Sequence, residues 1–130
     1  MDELMREIVE EDPRYRIDAY IFLRESLDVT IKIMDKPLEG PARHVSGREL
    51  LEGIRTHAIR EFGPLARTVL EHWGITRTDD FGEMVFNLVE KGILGKTEED
   101  KKSDFNDGFD FRDAFVVPFL PQAALEESDA

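Results

Sequence analysis

Apolar residues recur at three- and four-residue spacing along most of the chain, and glycine and proline cut that rhythm into separate rods. Leu4, Met5, Ile8 and Val9 make one stripe over residues 2–11, with Asp2 and Glu3 suited to the positive end of a helix. Asp12-Pro13 ends it, because the residue before proline is pushed out of the helical region. A longer apolar segment follows with two competing periods. Tyr20, Leu23, Leu27, Ile31 and Met34 fit a helical face, whereas Leu27 to Ile33 alternates like a strand and is rich in β-branched residues. The unbroken start from Ala19 to Leu23 and the overall length favour a helix from about Ile17 to Met34.

Asp35 to Pro41 is a loop, and Arg43 to Val45 a brief extended piece. Ser46-Gly47-Arg48-Glu49 then has the form of a capping box, in which hydroxyl and carboxylate each take the other residue's amide. Leu50, Leu51, Ile54, Ala58 and Phe62 give that helix its apolar face. Gly63 and Pro64 separate it from a second rod carrying Leu65, Ala66, Val69, Leu70 and Trp73, which stops at Gly74. Thr78 is the expected cap of a third, with Phe81, Met84, Val85, Leu88 and Val89 inward and Gly92 closing it.

Beyond Gly92 the pattern changes. Ile93-Leu94 and Phe109-Asp110-Phe111 read as two short strands around a charged excursion from Lys96 to Gly108, with a helical turn begun by Thr97 and a turn at Asn106-Asp107-Gly108. The expected fold is therefore mainly α with a small β element. It has a winged-helix-like three-helix core at 46–112 with a C-terminal two-strand wing, preceded by N-terminal helices and followed by a tail at 116–130. The acidic helix 1–12 flanks a single domain at 13–115, and the Pro-punctuated tail turns acidic and is expected to be disordered from Gln122 to Ala130.

Composition narrows the function classes. A chain of 130 residues fits one domain. Cysteine is absent, so neither disulfides nor thiolate metal sites are available. Met1 to Asp12 is acidic and periodic, unlike a signal peptide, and no apolar run approaches the roughly 20 residues that span a bilayer. A cytoplasmic protein with no membrane contact is the expectation.

The net charge of −12 disfavours phosphate backbones and anionic lipid. Its distribution is uneven. Residues 43–77 hold six arginines against four glutamates, and all three histidines, whereas residues 79–130 hold 14 acids against 5 bases. An anion or charged partner would thus meet Arg43, His44, Arg48, Arg55 and Arg77. Val117, Phe119 and Leu120 either pack back on the domain or dock into a partner.

The runs His44-Val45-Ser46-Gly47, Glu49-Leu50-Leu51, Gly53-Ile54-Arg55, Phe62-Gly63-Pro64-Leu65-Ala66, Val69-Leu70 and Trp73-Gly74-Ile75 resemble a small bacterial protein family. Asp80-Phe81-Gly82 and Phe86-Asn87-Leu88-Val89 extend the likeness, which covers residues 14–115. The family has no established activity. The resemblance implies one compact domain and brings no catalytic residue with it.

Fragments of known chemistry have plainer readings. Gly95-Lys96-Thr97 resembles the end of a P-loop, but Glu90 stands where a glycine is needed and a helix precedes it. Asp104, Asn106, Asp107 and Asp110 suggest calcium, yet Ser103 and Phe105 break the EF-hand register. His57 with Glu61, and Arg67 with Glu71, have the spacing of surface pairs on a helix. Trp73 reads as core, and Pro118 with Pro121 is a PxxP spacing without an adjacent base. No metal, cofactor or catalytic residue is assigned.

Three functions stay open. The first is a non-enzymatic protein-interaction module, with an unknown protein or itself as partner, because helix 79–91 carries Asp79, Asp80, Glu83 and Glu90 where a DNA-reading helix needs cations. The second is nucleic-acid association through the basic middle third. The third is an enzyme with a small pocket near His44, His57 or Asp80.

Overall fold

Ser46 and Glu49 form the capping box that their spacing predicts: Glu49 N–H donates to Ser46 Oγ at 3.1 Å, and Ser46 N–H to Glu49 Oε1 at 3.0 Å. The computed structural model describes residues 2–37, 39–40, 44–95 and 101–121. Its helices are α1 (Asp2–Glu11), α2 (Ile17–Ile33), α3 (Gly47–Phe62), α4 (Ala66–His72), α5 (Thr78–Glu90) and α6 (Phe111–Phe115). Short 3₁₀ turns at Gly63–Leu65, Lys102–Phe105 and Val117–Phe119 join or extend them.

The core is built where α2 and α3 cross. α2 turns Tyr20, Phe22 and Leu23 inward, and α3 answers with Leu50, Leu51, Ile54 and Ala58. Gly53 sets their separation, since a Cβ there would strike the Thr30 hydroxyl and press on Ser26 O. The buried Ser26 and Thr30 hydroxyls bond within α2, Ser26 Oγ to Phe22 O at 2.8 Å and Thr30 Oγ1 to Ser26 O at 2.7 Å. Neither is left unsatisfied, so the close approach costs no orphaned polar group.

Two devices tie the ends of this pair to the rest. Arg16 N–H donates to Trp73 O at 3.1 Å, fixing the start of α2 to the end of α4. Gly74, at φ +96, turns the chain there against Arg14 O, a backbone region and a closeness that only glycine accommodates. α5 then buries Phe81, Met84 and Leu88, while Met5 and Ile8 anchor α1.

No strand occurs among the described residues, which overturns the expected β element and with it the winged-helix layout. The amides of Ile93 and Leu94 return to Leu88 O at 3.0 and 3.4 Å, closing α5 instead of entering a ladder. Phe109-Asp110-Phe111 alternates for a different reason. Asp110 caps α6, accepting from Arg112 N–H at 2.8 Å and Asp113 N–H at 3.3 Å. The phenyls on either side pack into a cluster with Phe115, at ring separations of 5.6 Å from Phe109 and 5.2 Å from Phe111. Thr97 and Gln122 to Ala130 lie outside the described residues.

Candidate functional site

α2 carries more apolar surface than its contact with α3 uses. Leu27 and Ile31 stay half-buried on a second face, flanked by Arg24 and Asp28. Opposite them Val85, Phe86 and Val89 of α5 are also half-buried. Together with Leu50, Ser46 and Gly47 at the start of α3, these side chains line one groove of about 540 Å³. Leu94, Lys101, Asp104, Phe105, His44 and Val45 also line it. This volume falls in the range of ligand pockets, about 300–1,000 Å³.

Arg24, Asp28, Lys101 and Asp104 are the charged members of the lining. Arg24 Nη1 bonds Asp28 Oδ1 at 3.1 Å one turn along α2. Asp104 Oδ2 accepts from the Lys101 amide at 3.2 Å. Outside the groove lining, Lys36 bonds both oxygens of Glu49, at 3.1 and 2.9 Å. The Ser46 amide and then Lys36 hold the Glu49 carboxyl below the usual carboxylate range.

The polar side of α5, expected to be a docking surface, is already occupied. Asp80 Oδ1 accepts from the Tyr15 hydroxyl at 2.7 Å, while its Oδ2 accepts from the Thr76 and Arg77 amides at 2.9 and 3.2 Å. Glu83 faces Arg14 at 3.4 Å and Lys102 at 3.0 Å. Asn87 Nδ2 donates to Asp12 Oδ2 and to the Tyr20 hydroxyl, both at 3.0 Å. Lys91 reaches Glu11 at 2.8 Å and Glu7 at 3.6 Å. Positions 80, 83, 87 and 91 are one helical stripe, and residues 7–20 cover it.

The seam shifts the groups it holds. Arg14 grips Asp12 through two bonds at 2.9 and 2.7 Å and holds its carboxyl far below the usual range. Burial, and then the bond to Asp80, push the Tyr15 phenol well up. Burial pushes Tyr20 up as well, against the opposing bond from Asn87.

The other candidates are dispersed. Arg43 lies outside the described residues, as do Lys96 and Thr97 of the P-loop-like fragment. Arg48 points to Asn106 O at 3.4 Å, Arg77 pairs with Asp79 at 3.2 Å and Arg55 with Glu52 at 3.0 Å. His44 lines the groove. His57 does not meet Glu61; it is buried, stacks on Phe22 at 4.9 Å, and Nε2 lies 3.4 Å from Glu25 Oε1. Arg67 and Glu71 do pair, at 3.3 Å. His44, His57 and Asp80 thus stand in three separate surroundings and form no catalytic group.

Trp73 is half-buried against Phe22 and Phe62, at ring separations of 5.7 and 5.6 Å. Val117 and Leu120 are half-buried, and Phe119 keeps 39 % of its surface exposed. Thr78 caps nothing: its hydroxyl turns inward, donating to Phe105 O at 2.6 Å and accepting from Gly108 N–H at 2.9 Å. No helix among the described residues is long and apolar enough to cross a membrane.

Sequence reasoning missed the groove. Its one signal was that α2 has apolar residues on more than one face, which its ambiguous period disguised. No protein-family model matches the chain, and neither a curated protein nor a solved structure matches it.

Proposed function

We propose that this protein is a non-enzymatic interaction module, and that the groove between α2 and α5 receives the apolar side of an amphipathic helix from a partner protein. One observation carries the reading. Leu27 and Ile31 of one helix and Val85 and Val89 of the other line the same open volume and stay half-buried, when packing them together would have buried all four. Apolar side chains four apart on both walls suit an occupant that is itself helical, with anchors at the same spacing.

Charge supports a protein occupant over nucleic acid. Arg55 and Arg77 each lie beside a carboxylate, and the chain as a whole is at −12. A phosphate backbone would have to displace those acids against the field of the whole molecule. A second copy of the chain carries the same negative field, so a different protein with basic residues outside its apolar stripe fits better.

Selection of a random-peptide library on the intact chain tests this. The expected result is enrichment of sequences with apolar residues at helical spacing, whose binding is lost on Val89→Lys. No enrichment, or peptides indifferent to that substitution, would refute the proposal.

A further inference from the structure

Phe105 reaches the groove from the 3₁₀ turn Lys102–Phe105, and two glycines on two helices make room for it. A Cβ on Gly47, the first residue of α3, would meet the Phe105 ring at 3.1 and 3.3 Å. A Cβ on Gly82 of α5 would meet its Cβ and ring at the same distances. Both glycines head apolar stripes that continue into the groove. Leu50 is three residues after Gly47, and Val85, Phe86 and Val89 are three, four and seven after Gly82. Where the stripes carry glycine, the chain fills the space with its own phenyl, and Phe105 keeps 3 % of its surface exposed. Where they carry Leu50, Val85 and Val89, the space is open.

The backbone on either side of the ring is held independently of it. Phe105 O accepts from the Thr78 hydroxyl at 2.6 Å, and Gly108 N–H donates to the same hydroxyl at 2.9 Å. Asp107 N–H donates to Asp79 Oδ1 at 3.2 Å. Shortening the side chain therefore leaves the segment in place, and a glycine on each helix has nothing to refill the hole.

We infer that Phe105 limits the size of the partner side chain that enters the groove next to Gly47, and is thus a specificity-determining residue of the docking site. The inference rests on the groove being that site. A helix seated along α5 presents a row of apolar anchors, and the anchor nearest the phenyl has the least room. An aliphatic side chain fits there, whereas an aromatic one competes with Phe105 for the space over the glycines. A misfit of one methylene in an apolar pocket is worth about 10–200-fold in discrimination.

The same library, selected in parallel on the parent chain, Phe105→Ala and Phe105→Leu, distinguishes the outcomes, and thermal transitions show which variants are folded. The expected result is an aliphatic residue at one anchor position on the parent, replaced there by Phe or Trp on Phe105→Ala while the other anchors stay as they were. An aromatic peptide from that selection should bind Phe105→Ala about tenfold more tightly than the parent, and should raise the thermal midpoint of the variant more than that of the parent. Phe105→Leu removes less volume and carries the same comparison, with a smaller ratio, if the alanine variant does not fold. Identical anchors on the parent and a folded variant overturn this inference and leave the groove standing. Absence of any helical peptide from the parent selection overturns the groove reading itself.

Discussion

The Tyr15 hydroxyl donates to Asp80 Oδ1 at 2.7 Å, joining the turn after α1 to the first turn of α5. The other oxygen of Asp80 accepts from the Thr76 and Arg77 amides just before α5, so one carboxylate ties the entry to that helix and holds a distant segment onto it. Tyr15 is itself buried, with 2 % of its surface exposed. Tyr15→Phe keeps the ring and removes the bond. It should lower stability by about 1.5–3 kcal/mol, the range for a hydrogen bond to a charged group. Urea unfolding measures it, and an unchanged midpoint would remove this contact from the account of how α1 and α5 are joined.

Gly53 faces Thr30 with no room for a Cβ. In an exposed helix Gly→Ala is worth about 1 kcal/mol in favour of alanine. Here the overpacking of α2 against α3 should outweigh that gain, giving a net loss of about 1–2 kcal/mol. Removing the obstructing hydroxyl with Thr30→Ala in the same chain should recover part of the loss. A Gly53→Ala protein as stable as the parent would mean that the two helices are farther apart than described.

Thr78 shows how local signals mislead. Its position before an apolar run predicts a cap, but the N-cap position is Arg77, whose amide Asp80 binds, and the hydroxyl of Thr78 bridges Phe105 O and Gly108 N–H instead. Those partners lie 27 and 30 residues away, and nothing near Thr78 announces them. Thr78→Val preserves the shape and should cost about 2 kcal/mol by stranding both backbone groups. Amide exchange should quicken first around Phe105 to Gly108.

The same distinction separates what could be read in the sequence from what could not. The stops at Gly63 and Gly74 and the capping box at Ser46 act over a few residues, and each appears where the pattern places it. The two strands fail because Phe-Asp-Phe is equally the signature of a capping carboxylate between two packing rings, and only the position of Phe115 decides. The face of α5 is polar and acidic, and its sequence says so. That Arg14, Tyr15 and Tyr20 would cover it is a tertiary fact, carried by residues about 65 positions upstream. The groove was hidden for the opposite reason: Leu27, Ile31, Val85 and Val89 look like ordinary core residues until the space between them is seen.

Asp12 gives the seam a pH dependence with a definite sign. Arg14 depresses its folded-state value below the unfolded value of about 3.9, so its stabilising contribution is complete above that value. It is lost progressively as pH falls through about 4 toward the folded value. Glu49, also depressed, adds in the same direction. Stability should therefore fall on acidification from about pH 5 downward, with a shallower fall in Asp12→Asn, which has already lost the Arg14 contact. The single tryptophan, packed on Phe22 beside the Arg16 attachment, is a natural fluorescence probe. Equal acid limbs in the two proteins would contradict this assignment.

Leu88 and Val89 separate the core from the groove within one step of a helix, about 100° of rotation. Leu88 is fully buried, whereas Val89 is half-buried and lines the opening. Leu88→Ala should cost about 2–5 kcal/mol by leaving a cavity in the core. Val89→Lys introduces a charge one position away, yet its stem can lie along the groove wall with the ammonium in water, so the cost should stay below about 1 kcal/mol. Thermal unfolding of the two variants makes the comparison. If Val89→Lys unfolds the protein as readily as Leu88→Ala, the space between α2 and α5 belongs to the core, and a docking helix has nowhere to enter.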